Sequence, residues 1–302
     1  MTGTDLASTG SASDMGQDAS GDTLLAEAVT LADAADAAAG VVTREARPEE
    51  LDGVLARVEA TWGVGTGPDR SFLVALAHAG ATVLVADEAA NPDASAARTP
   101  VGTAVGFVGW HGGLHLHSHL NAVDPSARGR GIGLALKLRQ RAVCLAHGID
   151  DIRWTYDPLI RRNARMNLVR IGAEVSAWLP DFYGELGDAI SGSDRSDRFE
   201  VRWRLSSPRV LRALAREPAP AWNSRHVPAA TGHESGPEAS GVALVADFEA
   251  VRAADPAAAA ALRSTSRVVF DAAARHGLRP ELDAVGDYLF TDDDADRKPD
   301  EA

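Results

Sequence analysis

The chain has 302 residues, of which 45% are apolar, and its formal charge is −13. This length suffices for one large domain or two small ones. No apolar run approaches the roughly 20 residues that a bilayer-spanning helix needs. The N-terminus also lacks the basic and apolar regions of a secretory signal, so we expect a cytoplasmic protein. The single cysteine, Cys144, excludes an intrachain disulfide and a cysteine-rich zinc site.

Most of the acidity lies at the two ends of the chain. Residues 1–40 hold seven acidic and no basic side chains, and residues 291–302 hold six acidic and two basic ones. The body between them has 28 basic and 30 acidic side chains and is close to neutral. We therefore expect a flexible acidic N-terminal tail over 1–40, with at most a weak alanine-faced helix, and an acidic tail over 291–302. A neutral body argues against nucleic-acid and membrane partners.

The body opens with elements of alternating type. Sequence patterns predict a strand at VVTREA, helices at PEELDGVLARVEATWG and DRSFLVALAHAG, and a strand at ATVLVADE. Two strands, PVGTAVGFVGW and LHLHSHLNAV, form an antiparallel hairpin through the HGG turn. A glycine-rich loop, the helix IGLALKLRQRAVCLAHG and the strand DIRWTYD follow, which requires a crossover between parallel neighbours. We predict an α/β (α+β) fold with a central mixed sheet flanked by helices.

The later elements are a short helix at RRNARMNLVRIG, strands at AEVSAWLP and DRFEVRWRL, and a helix at SPRVLRALARE. After a surface loop, the patterns predict a strand at GVALVADF, a long helix at DPAAAAALRSTSRVVFDAAARHG and a strand at AVGDYLF. A separate small domain and an extension of the first sheet are both open. The scarcity of apolar residues favours one domain over 41–205 with an extension over 206–290 packed on it.

The stretch RGRGIG, residues 128–133, lies between a predicted strand and the first turn of a predicted helix. At such a place free backbone N–H groups and the positive end of the helix dipole converge on an anion, and glycines let the anion approach closely. The spacing lacks the P-loop and dinucleotide motifs, which disfavours nucleotide sites. A phosphate site and an ordinary structural turn both remain open.

The context of this loop favours the phosphate site. The strand before the loop ends in Val123, Asp124 and Pro125, and Arg128, Gly131 and Gly133 fit the pattern Arg/Gln-x-x-Gly-x-Gly. This arrangement resembles the acyl-CoA signature of the GNAT superfamily of N-acyltransferases. The order of predicted elements over residues 41–180, about half the chain, resembles the order in that family. WTYDPL and the long C-terminal extension look like a branch of predicted acyltransferases.

The resemblance implies a GNAT-like fold in which two parallel strands splay apart and hold acetyl-CoA or another acyl-CoA as co-substrate, with no metal. The backbone N–H groups of the loop would hold the pyrophosphate, and the preceding strand end would pair with the pantetheine arm. Two loop arginines would also face phosphates or, alternatively, be solvated. The cofactor-binding residues implied in this way are Val123, Arg128, Gly129, Arg130, Gly131, Ile132, Gly133, Leu134 and Asn163.

The sequence departs from the family pattern at one informative place. Many members carry a tyrosine four residues before the glycine that ends the short helix, where it protonates the departing thiolate. Four residues before Gly172 this chain has Leu168, and Ala173 replaces the usual aromatic residue after that glycine. Tyr156 and Tyr183 are the alternative proton donors, although either could instead be a packing tyrosine.

Three histidines, His115, His117 and His119, alternate along the second hairpin strand. A zinc site would need further ligands, and no suitable motif lies nearby. Strict alternation predicts that Leu114, Leu116 and Leu120 pack on one face, with the histidines on the other. His119 would then share a face with Val123 and is our candidate for the base, with a hydrogen-bonded structural histidine as the alternative.

We therefore predict an acyltransferase that moves an acyl group from acyl-CoA to the amine of a small molecule by direct attack. The candidate catalytic residues are His119, Tyr156 and Tyr183. A non-catalytic CoA-binding or regulatory module is the alternative, and Leu168 favours it. An Arg-based nucleic-acid binder is disfavoured by the neutral body. A homodimer is left open.

Overall fold

The structure is a computed structural model that describes residues 12–90, 98–184, 194–228 and 238–299, with side chains from residue 21 onward. In these residues a central sheet of seven strands has the order β1-β2-β3-β4-β5-β7-β6. Its strands are β1 Val41–Glu45, β2 Thr82–Glu88, β3 Gly102–Gly109, β4 His115–Val123, β5 Asp151–Tyr156, β6 Glu174–Leu179 and β7 Arg198–Arg204. The pair β4–β5 is parallel, and the other neighbouring pairs are antiparallel. The predicted mixed α/β sheet is confirmed.

Helices cover both faces of this sheet. They are α1 Ala12–Ala39, α2 Leu51–Trp62, α3 Arg70–His78, α4 Ile132–Ala146, α5 Arg161–Ala164, α6 Pro208–Leu214, α7 Phe248–Ala254 and α8 Pro256–Arg275. On one face, which we call the α4 face, Ile132 and Leu136 of α4 pack with Leu84 and Ala104. On the opposite face α2 and α3 cover β2 and β3. A π-helical turn, Arg165–Arg170, continues α5.

The expected flexible N-terminal tail is wrong for residues 21–39, which belong to α1 and pack against α4. Ala28 and Ala32 are buried, because small side chains let the two helices approach closely. Arg139 of α4 donates to Asp33 at 2.7 Å and Asp36 at 2.9 Å, so part of the N-terminal acidity is neutralised inside the fold. Residues 1–11 lie outside the described part.

The C-terminal extension packs on the end of the central sheet. In its described residues the strands are β8 Val227–Pro228, β9 Glu238–Ala239, β10 Gly241–Val242, β11 Arg279–Leu282 and β12 Tyr288–Thr291. The sheet β10-β12-β11 is separate from the central one. Phe270 of α8, Tyr288 and Phe290 nevertheless share one apolar core with Phe199 of β7. The division of the chain into domains stays a prediction.

Two predictions for the C-terminal part are corrected. The segment GVALVADF is a strand only over Gly241–Val242, because Leu244 instead bonds Asp287 through its N–H and Arg161 through its carbonyl. The acidic tail is structured over 291–299, since Asp296 accepts from Arg204 at 2.7 Å. Residues 300–302 lie outside the described part.

A leucine scan of α1 separates a packed helix from a tail. Ala32 is fully buried against the rest of the fold, so Ala32→Leu should overpack the interface and lower the free energy of unfolding by about 1–3 kcal/mol. Ala34 is exposed on the same helix, and Ala34→Leu should change it by less than about 0.5 kcal/mol. Urea denaturation measures both. If both substitutions left the free energy of unfolding unchanged, α1 would not be packed against the rest of the fold.

Candidate functional site

The strands β4 and β5 separate after a very short pairing. Only Leu116 with Ile152 and His117 with Arg153 are in register. Beyond them β4 runs on to Val123 and β5 to Tyr156 without pairing to each other, whereas β5 stays paired with β7. This divergence, which the resemblance implies, leaves free backbone N–H and C=O groups along the edge of β4. An extended ligand can pair with such an edge as an added strand would.

A β-bulge lies in β4 at the point of divergence. Val105 of β3 is in register with Leu120, but the next residue, Gly106, is in register with Ser118, so His119 has no partner residue on β3. The extra residue reverses the alternation of side chains beyond it.

The bulge corrects the predicted facing of β4. Leu116 packs on the α4 face, Leu120 packs with Leu73 on the α2–α3 face, and Leu114 is exposed. Val123 packs with Ile132 on the α4 face. His119 therefore does not share a face with Val123.

The three histidines have different environments. His115 is buried, and its Nδ1 lies 2.8 Å from the carbonyl oxygen of Gly113, which indicates a structural role in the hairpin turn. His117 and His119 form a ring cluster with Phe107, with the two imidazole centroids 6.0 Å apart. His117 lies at the last position paired with β5, and His119 lies two residues beyond it. An open groove of about 370 Å³ extends from His117 to Trp110.

Both clustered histidines are held in the neutral form. Burial, together with the charges of His119, His115 and Lys137, lowers the pKa of His117 to about 4. Burial by the surrounding sheet also lowers the pKa of His119, although part of this residue is exposed to solvent. A neutral imidazole can accept a proton at pH 7, so His119 retains the property that a base needs.

The glycine loop presents a row of free donors at the N-terminus of α4. Gly129 and Gly131 have φ angles of +82° and +95°, which glycine adopts without strain. Arg128 N–H bonds Pro125 and Leu134 N–H bonds Gly131. Within the described chain, the N–H groups of the five residues between them, 129–133, make no hydrogen bond to the protein. The predicted donor row therefore narrows to these five, which suit a pyrophosphate.

The two arginines of the loop have different functions. Arg128 is exposed and has no ion pair or hydrogen-bond acceptor for its guanidinium in the described part of the chain, so it is available to a phosphate. Arg130 donates to both carboxylate oxygens of Glu88, at 2.7 and 2.8 Å, and to the carbonyl of Ala39. The side chain of Arg130 therefore holds α1 and β2 together instead of facing a phosphate, while its backbone N–H stays in the predicted donor row.

Tyr156 and Leu168 lie in the core, whereas Tyr183 lies on the surface. Tyr156 is buried, its hydroxyl lies 3.0 Å from that of Tyr288, and burial raises its pKa, which together indicate the packing alternative. Tyr183 is exposed, and its hydroxyl lies 3.1 Å from Oγ1 of Thr155, beyond the divergence on β5. Thr155 and His117 face the same side of the sheet. Tyr183 therefore keeps its place beside the opening, while Leu168 is buried in the core and offers no proton.

Asn163 lies in α5 after β5, as the resemblance implies. Its N–H bonds Ile160, while its half-buried side-chain amide has no partner in the described residues. The amide can thus bind an extended ligand between β4 and β5. The nearby Arg161 and Arg162 are engaged by Leu244 and Glu249 of the C-terminal extension.

Sequence reasoning missed a buried polar contact at the divergence. Lys137 of α4 is buried, and its Nζ lies 2.8 Å from Oγ of Ser118 and 3.6 Å from the ring centroid of Trp154. Burial lowers the pKa of Lys137 to about 7. The signal was present in the sequence, because Lys137 lies three residues after Leu134 on the apolar side of α4.

The described residues contain no group of three or more His, Cys, Asp or Glu side chains placed to hold a metal ion. None of their helices is both long and apolar enough to cross a bilayer.

No protein-family model and no curated protein matches the chain. Solved structures do resemble it. The chain is similar to GNAT acetyltransferases. One neighbour is the NatC complex bound to Gag peptide and CoA, with 16% identity and a TM-score of 0.43, covering 55% of this chain and 99% of that chain. Another is Chaetomium thermophilum Naa20 in complex with a bisubstrate analogue. It has 19% identity and a TM-score of 0.43, and the match covers 59% of this chain and 90% of that chain.

A third neighbour is a GNAT superfamily phosphinothricin acetyltransferase from Sinorhizobium meliloti in complex with acetyl-CoA. It has 16% identity and a TM-score of 0.41, and it covers 54% of this chain and 87% of that chain.

The low pKa of His117 makes stability depend on pH. In the unfolded chain a histidine titrates near 6.5, whereas folded His117 titrates near 4. Protons therefore bind preferentially to the unfolded chain between these values, and the stability is lost as the pH falls from about 6.5 to about 4. Urea denaturation across this range should show the loss, and His117→Gln should reduce its slope. An imidazole NMR signal of His117 that titrates near 6.5 would contradict the prediction.

Proposed function

We propose that this protein is an acyl-CoA-dependent N-acyltransferase that transfers an acetyl or other acyl group to an amine. One observation carries the proposal: the free edge of β4 begins at the divergence from β5 and ends at five unpaired N–H groups of the glycine loop. A free strand edge suits the amides of a pantetheine arm, and an N–H row at a helix N-terminus suits a pyrophosphate. Acyl-CoA contains both groups in one molecule.

Different residues would bind the cofactor and accept the proton. The loop N–H groups and Arg128 hold the phosphates, while the β4 edge and the Asn163 amide orient the pantetheine arm. Acyl-CoA would supply the thioester carbonyl when bound. His119, directly or through one water, accepts a proton from the attacking amine. Orientation of the two reactants at the divergence supplies most of the rate.

A non-catalytic CoA-binding module is the second candidate. The observation that favours it is Leu168, buried in the core where many family members have an acidic hydroxyl. The neutral histidines and Tyr183 beside the opening favour an enzyme. The two candidates differ in one measurement, the release of CoA thiol in the presence of amines.

The acceptor that we propose is a small-molecule amine. The groove between His117 and Trp110 is lined by Phe107, Val108 and His111 and contains no carboxylate among the described lining residues. Such a groove suits an apolar or aromatic amine better than a strongly cationic one. The NatC neighbour has a Gag peptide bound, and a peptide amine is therefore the alternative to include in an acceptor panel. We further propose a cytoplasmic location.

The glycine loop can be tested by one methyl group. Gly131→Ala places a side chain at a φ of +95°, so the loop must shift and lose part of its N–H row. We expect the Kd for CoA, measured by calorimetry, to rise about tenfold or more. Gly148→Ala is the matched control, because Gly148 has a φ of +70° and open space at the opposite end of α4. Equal CoA affinity in the two variants would refute the phosphate site.

The base can be tested in the same protein. His119→Ala should lower kcat/KM for the best amine of the panel about 10²-fold, because a positioned proton acceptor is lost. The Kd for acetyl-CoA should stay within about twofold, since the phosphate and pantetheine contacts lie elsewhere. Thiol release followed with a thiol reagent measures the rate. Normal turnover of the variant would exclude His119 as the base, and CoA binding without turnover on any amine would favour the non-catalytic module.

A further inference from the structure

Three side chains meet on the α4 face where β4 and β5 separate. Ser118 is the first β4 residue beyond the paired positions, and Trp154 is the first such residue on β5. The Nζ atom of Lys137 reaches both, at 2.8 Å from Ser118 Oγ and 3.6 Å from the Trp154 ring centroid. Lys137 therefore spans the apex of the opening and joins its two sides.

The lysine is held there without a counterion. Lys137 is 6% exposed and makes no ion pair with a carboxylate in the described part of the chain. The titratable groups that interact with it electrostatically are Cys144 on α4 and His117 on the far face of β4. An unpaired buried ammonium destabilises a fold, so its retention at the apex points to a use.

We infer that Ser118 and Lys137 form the proton-donating pair for the departing CoA thiolate, with Ser118 as the catalytic residue and Lys137 as the residue that positions and reprotonates it. This inference rests on the proposed acyltransferase function. It supplies the acidic group that Leu168 cannot provide.

The step balances in protons and electrons. The amine nitrogen forms a bond to the thioester carbonyl carbon, and the C–S bond breaks with its electron pair passing to sulfur. Ser118 Oγ donates its proton to that sulfur while Lys137, as an ammonium, returns one proton to Ser118. The proton that the amine loses goes to His119 or to water, and solvent restores the proton of Lys137.

The location of the pair agrees with the path of the pantetheine arm. The glycine loop immediately precedes α4, and Lys137 lies in the second turn of that helix. Along the free edge of β4, Ser118 lies five residues from Val123, roughly 17 Å by strand geometry. A chain that starts at the loop and follows this edge ends at the apex, with its terminal sulfur beside Ser118.

The thiol of bound CoA gives a test that requires no turnover. Free thiols titrate near 8.5. A bound thiolate next to Lys137 favours the ammonium form of that side chain, and this attraction should let the bound thiol ionise at a pH lower by about one unit. Thiolate absorbance of the full-length protein with CoA, minus that with desulfo-CoA, follows this ionisation. In Lys137→Met and Ser118→Ala the shift should be lost. Gln140→Met is the control, since Gln140 is a buried polar residue of α4 that bonds Thr82 instead.

The outcomes separate the two levels of the hypothesis. If CoA does not bind the wild-type protein, the proposed function fails and this inference fails with it. If CoA binds and its thiol ionises alike in the wild-type protein and the Lys137→Met variant, the inference is overturned while the proposed function stands. Thermal unfolding shows that each variant is folded, and Lys137→Met should unfold at a higher temperature near pH 7 because it removes an unpaired buried amine.

A pH profile distinguishes proton donation from a structural role. Burial lowers the pKa of Lys137 to about 7, so the ammonium is lost above that pH. The wild-type kcat should have a falling limb near pH 7, and Lys137→Met should lack the limb and show a kcat reduced about 10²-fold. KM for acyl-CoA should change by less than about threefold. If kcat of Lys137→Met fell by the same factor at every pH and the falling limb near pH 7 remained, the inference would be contradicted.

Discussion

The divergence of two parallel strands is the constraint on which the rest of the molecule depends. After two paired residues, β4 and β5 each have an edge without a partner strand. Backbone N–H and C=O groups in a folded protein need partners, so an open edge of this kind persists only if the surroundings hold the strands apart. The bulge at His119 bends β4 at that point, and β7 keeps β5 in place on its other side.

The element order could be predicted from the sequence because it depends on local patterns. Alternating β-branched residues marked the strands, and Gly148 and Gly172 marked helix ends, where both adopt positive φ angles. The α1 packing was not predictable in this way, since its contact surface is alanine and its hydrophobic signal is weak. Helix α1 is held by a close approach and by the Arg139 ion pairs, which only the assembled fold brings together.

The part of the candidate site formed by backbone N–H groups could be predicted from the sequence. The part formed by side chains could be predicted less well. Three glycines and their position between strand and helix located the N–H row. The prediction that His119 shares a face with Val123 was wrong, because one bulged residue reverses the alternation of side chains along β4. The spacing of residues in the sequence does not reveal such a bulge. Arg130 and Tyr156 were candidates by type, but their partners, Glu88 and Tyr288, lie 42 and 132 residues away in the sequence. Lys137 was overlooked because a lysine in a helix is usually a solvated residue.

The C-terminal extension contributes to the site by fixing the end of β5. Asp157, directly after this strand, accepts two hydrogen bonds from Arg263 of α8 at 2.6 and 2.7 Å, and Arg263 also bonds Asp194. Such a buried ionic cluster contributes little net stability, because desolvation offsets the attraction, but it permits only one arrangement of its partners. The bulge determines the course of β4, and this cluster, with the Tyr156–Tyr288 contact, determines that of β5. The width of the opening is therefore set by contacts between residues more than 100 positions apart in the sequence.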